Sequence, residues 1–98
     1  MNMQALMKQA QKIQNDMMKA KEEINNTVYC ASSSIVSVKI NGEKKVLEVK
    51  IDAEQLDKDD IDMLSDMIMV AINEANKQVD KDTESKLGKY TQGMPGLF

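Results

Sequence analysis

Histidine, tryptophan and arginine are absent from this chain, cysteine and proline occur once each, and the aromatics reduce to Tyr29, Tyr90 and Phe98. Each absence removes a class of function. Without histidine, and with Cys30 alone, neither a Cys/His metal cluster nor an internal disulfide can form. No glycine-rich phosphate loop is present, and no serine or cysteine stands beside a plausible base, so nothing resembles catalytic machinery. All 13 basic residues are lysines, which excludes the bidentate arginine contact to guanine. Three aromatics are too few for a platform on which single-stranded nucleic acid stacks. The longest apolar run, MIMVAI at Met67 to Ile72, is far too short to span a bilayer, and Lys8 and Lys12 interrupt any signal-peptide core. The expectation is a cytoplasmic protein that is not an enzyme, with no cofactor, no metal, no membrane and no small-molecule substrate. Cys30 is expected to be a buried strand thiol.

What remains is an aliphatic, methionine-rich and strongly charged chain of 98 residues with net charge −3. A single domain of this size buries a modest core, so self-association is expected to supply further burial. The charge is unevenly spread. Residues 1–26 carry four lysines and three acids, 27–51 four and two, and 77–98 four and three, whereas 52–76 hold eight acids and one lysine. A chain that is acidic in total therefore has mildly basic ends, and such a patch acts locally on an ion of opposite sign.

In residues 1–26, Met3, Leu6, Ala10, Ile13, Met17, Ala20 and Ile24 recur at alternating steps of three and four, the seam of a helix. At about 100° per residue, Lys8, Lys12 and Lys19 fall within ~40° of one another and roughly 150° from the centre of that seam. The helix has an apolar edge and a lysine back, and it is expected to end near Asn25 and Asn26. Between 27 and 51 the period changes to two: Val36, Val38 and Ile40, then Leu47, Val49 and Ile51, alternate with polar residues. Asn41-Gly42 between these runs predicts a tight hairpin with positive φ. Residues 27–32 predict a further strand, with a turn at 32–34, giving a three-stranded meander. A long helix is expected over 57–90, with Asp57 as its cap and Asp59, Asp60 and Asp62 favoured at its positive end. As a calcium loop the cluster fails, because counting from Asp57 the sixth and twelfth places hold Asp62 and Ile68. The helix's apolar stripe includes Met67, Ile68 and Ile72, and the run around them is apolar on all sides, which predicts contact with the sheet and with a second surface. Past Val79 the helix becomes polar and is expected to project beyond its core. Gly93, Pro95 and Gly96 exclude continuation, leaving a tail at 91–98 that is either disordered or docked through Leu97 and Phe98. Together these make one α+β domain over 1–98.

An opening MxxLMKQAQKIQ, a central VSVKING followed by VLEVKID, the acidic DxxDxDMLSDMI and a closing GMPGLF, taken in this order and spacing, resemble the YbaB/EbfC family of nucleoid-associated proteins across nearly the whole chain. The resemblance implies a helix, three-strand, helix fold, a tweezer-like homodimer with projecting helices, double-stranded DNA as partner, and a location in the bacterial nucleoid. It also implies that the first and last helices face DNA. On them, the residue pattern selects Lys8, Lys12, Lys19, Lys77, Lys81, Lys86 and Lys89. The expected function is DNA binding of low sequence specificity that organises the nucleoid or modulates gene expression. A structural or adaptor dimer that binds a protein instead, with lysines that merely solvate, is the alternative.

Overall fold

The computed structural model describes residues 2–91, so the expected docking of Leu97 and Phe98 lies outside the described residues. The order is α1 (Met3–Asn26), β1 (Tyr29–Ser33), β2 (Val36–Ile40), β3 (Val46–Ile51) and α2 (Lys58–Thr91). This is the α-β-β-β-α arrangement of an α+β fold. Asn2 caps α1 by accepting the Gln4 amide at 3.0 Å. At the start of α2, the Asp60 carboxylate accepts the Asp57 amide at 2.9 Å, which is the reach-back half of a capping box and places the acids where the helix dipole favours them.

The sheet is an antiparallel meander with β2 in the centre. Val36, Val38 and Ile40 point to one face and are buried, together with Tyr29 of β1. Across that face lies α2, whose Ala71, Ala75 and Val79 return every four residues and are equally buried. Small alanines let the helix approach the strands closely. The helix crosses β1 and β2 and leaves β3 uncovered: all six residues of β3 are exposed, although Val49 and Ile51 pair with Val38 and Val36 on the helix side. The pairing skips Leu47, since Lys39 faces Glu48 while Ile40 faces Val46, so β3 bulges there.

Two expectations are corrected. The hairpin is not a two-residue turn with positive φ at Asn-Gly. The left-handed residue is Lys44, at φ 66°, and the Asn41 side chain holds the loop by accepting the amides of Glu43 and Lys45 at 2.9 and 3.0 Å. Gly42 serves a different need, because a Cβ there would stand 1.9 Å from the Ile24 carbonyl oxygen. Its absent side chain lets the hairpin seat against the last turn of α1. Cys30, in turn, is exposed rather than buried, because in β1 it alternates with the buried Tyr29 and faces away from α2.

Candidate nucleic-acid interface

The molecule is drawn out to 71 × 21 × 14 Å, and α2 with its 34 residues runs along much of that length. The successive partners of α2 show how the two helices are arranged. Gln78 donates from Nε2 to the Cys30 carbonyl at 3.0 Å, Tyr29 donates its hydroxyl to Asp82 at 2.5 Å, and Lys86 shares an open groove with Lys19, Glu22, Glu23, Asn26 and Thr27. As α2 advances, its partners step backwards through β1 into α1. The two helices therefore run antiparallel, and α1 continues past the end of α2 as an arm.

Tyr29 and Asp82 fix this angle. Burial pushes the Tyr29 hydroxyl up to about 12, and its hydrogen bond to the Asp82 carboxylate and that group's charge add to the rise. The reverse holds for Asp82, whose carboxyl is lowered chiefly by the Tyr29 hydrogen bond, against an opposing effect of burial, with Lys86 adding lesser lowering contributions. Lys86 stands 3.3 Å away and completes the trio. A neutral hydroxyl, a carboxylate and an ammonium thus tie the start of β1 to the later turns of α2. Composition and periodicity did not single out Tyr29 or Asp82; the nearest signal was a lone tyrosine opening a strand in a chain almost without aromatics.

The seven lysines selected from the pattern fall into distinct environments. Lys8 and Lys12 lie on the arm of α1, where every residue from Asn2 to Asn15 is exposed, and neither forms an ion pair among the described residues. Lys19 and Lys81 are also without ion pairs, but Lys19 sits where Glu22 and Glu23 share its groove, and Lys81 lies beside Asp82 in the groove that contains Tyr29. Lys77 stands 3.9 Å from Glu74, and Lys86 pairs with Asp82. Lys89 rests over the Tyr90 ring, 5.0 Å from its centroid. Elsewhere Lys39 and Lys44 pair with Glu48 and Asp80. Of these seven, Lys8 and Lys12 thus have neither an ion pair nor an acid in a shared groove among the described residues, whereas Lys77 and Lys86 are already engaged within the protomer.

The seam residues grade in the same direction. Met3, Leu6, Ala10 and Ile13 are exposed, Met17 and Ala20 half-buried, and Ile24 buried. On α2, Met67, Ile68 and Ile72 are half-buried against the core, while Met69 and Val70 between them are exposed. The acids from Asp52 to Asp66 gather around the start of α2, about 50 Å of helix away from its last turn. The densest acidic stretch thus sits at the far end from the lysine arm. Among the described residues, no group of three or more histidine, cysteine or carboxylate side chains is placed to hold a metal, and no helix is long and apolar enough to cross a membrane.

An elongated helix–sheet–helix protein with a basic arm at one end is the class that fold and site define. Within that class, a family model described as the YbaB/EbfC DNA-binding family matches residues 1–94. The chain belongs to the YbaB/EbfC DNA-binding family. It is 40% identical over 98 residues to a nucleoid-associated protein of Enterococcus faecalis, covering 98% of this chain and 94% of that one. It is 43% identical over 99 residues to a nucleoid-associated protein of Ligilactobacillus salivarius, covering 99% and 95%. Among solved structures, an uncharacterized Helicobacter pylori protein superposes with a TM-score of 0.70 at 22% identity, covering 87% of this chain and 91% of that one, a likeness of fold.

Proposed function

We propose that the chain works as a homodimeric nucleoid-associated protein that grips duplex DNA through lysines on its projecting helices, with little dependence on sequence. The observation that carries this reading is the pair Lys8 and Lys12, uncompensated on a fully exposed helical arm in a member of a DNA-binding family. Their task is to neutralise phosphates and release counterions, which needs charge and reach but no enclosed pocket. Lys19, Lys81 and Lys89 extend the basic surface. Lys77 and Lys86 contribute only by exchanging a carboxylate partner for phosphate. The acids at the start of α2 repel the duplex and so leave the arm as the approachable end. Nucleoid organisation or modulation of gene expression in the cytoplasm follows from such binding. Nothing in the reading requires turnover, a cofactor or a small-molecule substrate, and residues 1–98 act as one unit.

The dimer is supported by uncovered apolar residues on β3 and around the first half of α2. Val46, Val49 and Ile51 of β3 are between 38% and 42% exposed, and Ile61, Met63, Met69 and Val70 of α2 exceed half exposure. Exposed apolar surface of this extent on a small domain calls for a partner of the same apolar character, and a second copy supplies it. Five further exposed apolar positions, Met3, Leu6, Met7, Ile13 and Met18, favour a second reading in which the arm holds a protein partner through adaptable methionines. A mobility shift on duplex DNA at low salt, with solution mass measured on the same sample, separates the two. Retardation by a particle of two chains supports DNA binding; a dimer that leaves DNA unshifted sinks it in favour of the adaptor.

A further inference from the structure

We propose that Asn41-Gly42 is a site of spontaneous deamidation that the seated α1 guards, and that its isoaspartyl product keeps α1 from reseating. The inference goes beyond DNA binding, since it concerns how the arm is anchored. Of the seven asparagines in the chain, Asn41 alone is followed by glycine. A side chain on the following residue obstructs attack by that residue's backbone nitrogen on the asparagine amide, and glycine has none. In this step the Gly42 nitrogen loses its proton and bonds to Asn41 Cγ, while Asn41 Nδ2 gains a proton and leaves as ammonia, which closes a succinimide ring. Water then opens the ring at one of its carbonyls. Cleavage at Cγ leaves aspartate; cleavage at the Asn41 main-chain carbonyl leaves isoaspartate, whose main chain runs on through Cβ and Cγ. A water enters, an ammonia departs, and nothing is oxidised or reduced.

The folded loop restrains this step. The Asn41 amide donates to the Lys45 carbonyl at 3.0 Å, its carbonyl accepts the Lys44 amide at 2.9 Å, and its side-chain oxygen accepts the amides of Glu43 and Lys45. Lys44 in turn stands 2.9 Å from Asp80 and fastens the loop to α2. Gly42 lies against the last turn of α1, where a Cβ would stand 1.9 Å from the Ile24 carbonyl oxygen and 2.8 Å from the Asn25 nitrogen. Ring closure needs the Asn41 side chain and the Gly42 peptide to turn toward each other, so hydrogen bonds on one residue and backbone packing on the next both oppose it. The Gly42 amide itself donates to no partner among the described residues, so the guard on it is packing, which is lost when the last turn of α1 lifts.

Isoaspartate alters the loop in two ways. Its main chain is one atom longer, in a place where the neighbouring residue has no room for a methyl group. Its carboxylate sits on Cα, one carbon short of where the side-chain oxygen accepts the Glu43 and Lys45 amides. The last turn of α1 then has no matching hairpin to seat against. Aspartate, by contrast, keeps both the chain length and the acceptor, and permits reseating.

The full-length protein held in mildly alkaline buffer tests both halves of the proposal, with isoaspartate at residue 41 quantified by mass spectrometry of the tryptic peptide 40–44. Ile24→Ala is expected to raise its rate of formation about tenfold while β2 amides stay protected, and Lys44→Gln, which frees the loop from Asp80 and leaves the core intact, about threefold. A rate unchanged in either variant overturns the guard. In the purified isoaspartyl protein, amides of residues 20–26 are expected to exchange about tenfold faster than in the unaltered protein, whereas Asn41→Asp leaves them as they were. Unchanged exchange in the isoaspartyl protein, or equal loosening in Asn41→Asp, overturns the block on reseating.

Discussion

The two helices use the same apolar periodicity for opposite ends. In the middle of α2, Ala71, Ala75 and Val79 are essentially removed from solvent against β2, while in the first half of α1 no residue is buried. Burial at about 25 cal/mol per Å2 of apolar surface concentrates the folding energy in the first region, which is also where net charge is least useful. The arm gives up that stabilisation and keeps Lys8 and Lys12 in water. Stability and charge presentation are thus carried by different parts of one small chain, and the Tyr29–Asp82–Lys86 trio ties β1 to the later turns of α2.

If that division holds, substitutions in the middle should change stability first and those on the arm should change DNA affinity first. Ile40→Ala, at a fully buried position, is expected to cost about 4 kcal/mol in chemical denaturation, leaving any DNA binding of the folded fraction intact. Gly42→Ala is expected to cost about 3 kcal/mol, because backbone rather than a side-chain tip stands where the methyl would go. If the cost instead matched an ordinary glycine replacement in an open turn, α1 would not be seated on the hairpin as described.

Tyr29→Phe is expected to cost about 1–2 kcal/mol at neutral pH and to do so over a defined range. The raised Tyr29 value makes its contribution fully present below the unfolded tyrosine pKa near 10 and lost as pH rises to about 12. The lowered Asp82 value makes its contribution present above the unfolded carboxylate pKa near 4 and lost as pH falls through the native value. Denaturation curves of the two proteins should therefore differ by a constant amount from about pH 5 to 9 and converge beyond either end. Smallest in stability is the arm itself: Lys8→Gln/Lys12→Gln is expected to shift unfolding by less than about 0.5 kcal/mol.

The sequence made the elements easy to read because each carries its own period, three-four in α1 and α2 and two in the strands. Their junctions were harder. Asn41-Gly42 is a turn signal, but only the approach of Ile24 explains why glycine is needed, and that contact joins positions far apart in the chain. Cys30 was misplaced because composition says that cysteines are usually buried, whereas strand alternation beside Tyr29 decides its side. For the candidate site, the lysines were visible from their spacing. Their ion pairs, Lys77 with Glu74 and Lys86 with Asp82, lie three and four residues apart on one helix and were within reach of spacing, whereas the groove that brings Glu22 and Glu23 to Lys86 was not, since it forms only once α1 lies antiparallel to α2.

The central claim is that lysines on the arm hold duplex DNA by neutralising phosphates. Its most direct test is the dependence of affinity on salt, measured by anisotropy on a labelled duplex for the unaltered protein and for Lys8→Gln/Lys12→Gln. If a dimer engages about six phosphates, log affinity should fall against log salt with a slope near −5, and loss of four lysines per dimer should flatten it to about −2. Equal slopes for the two proteins, or no binding by either at low salt, would contradict the account.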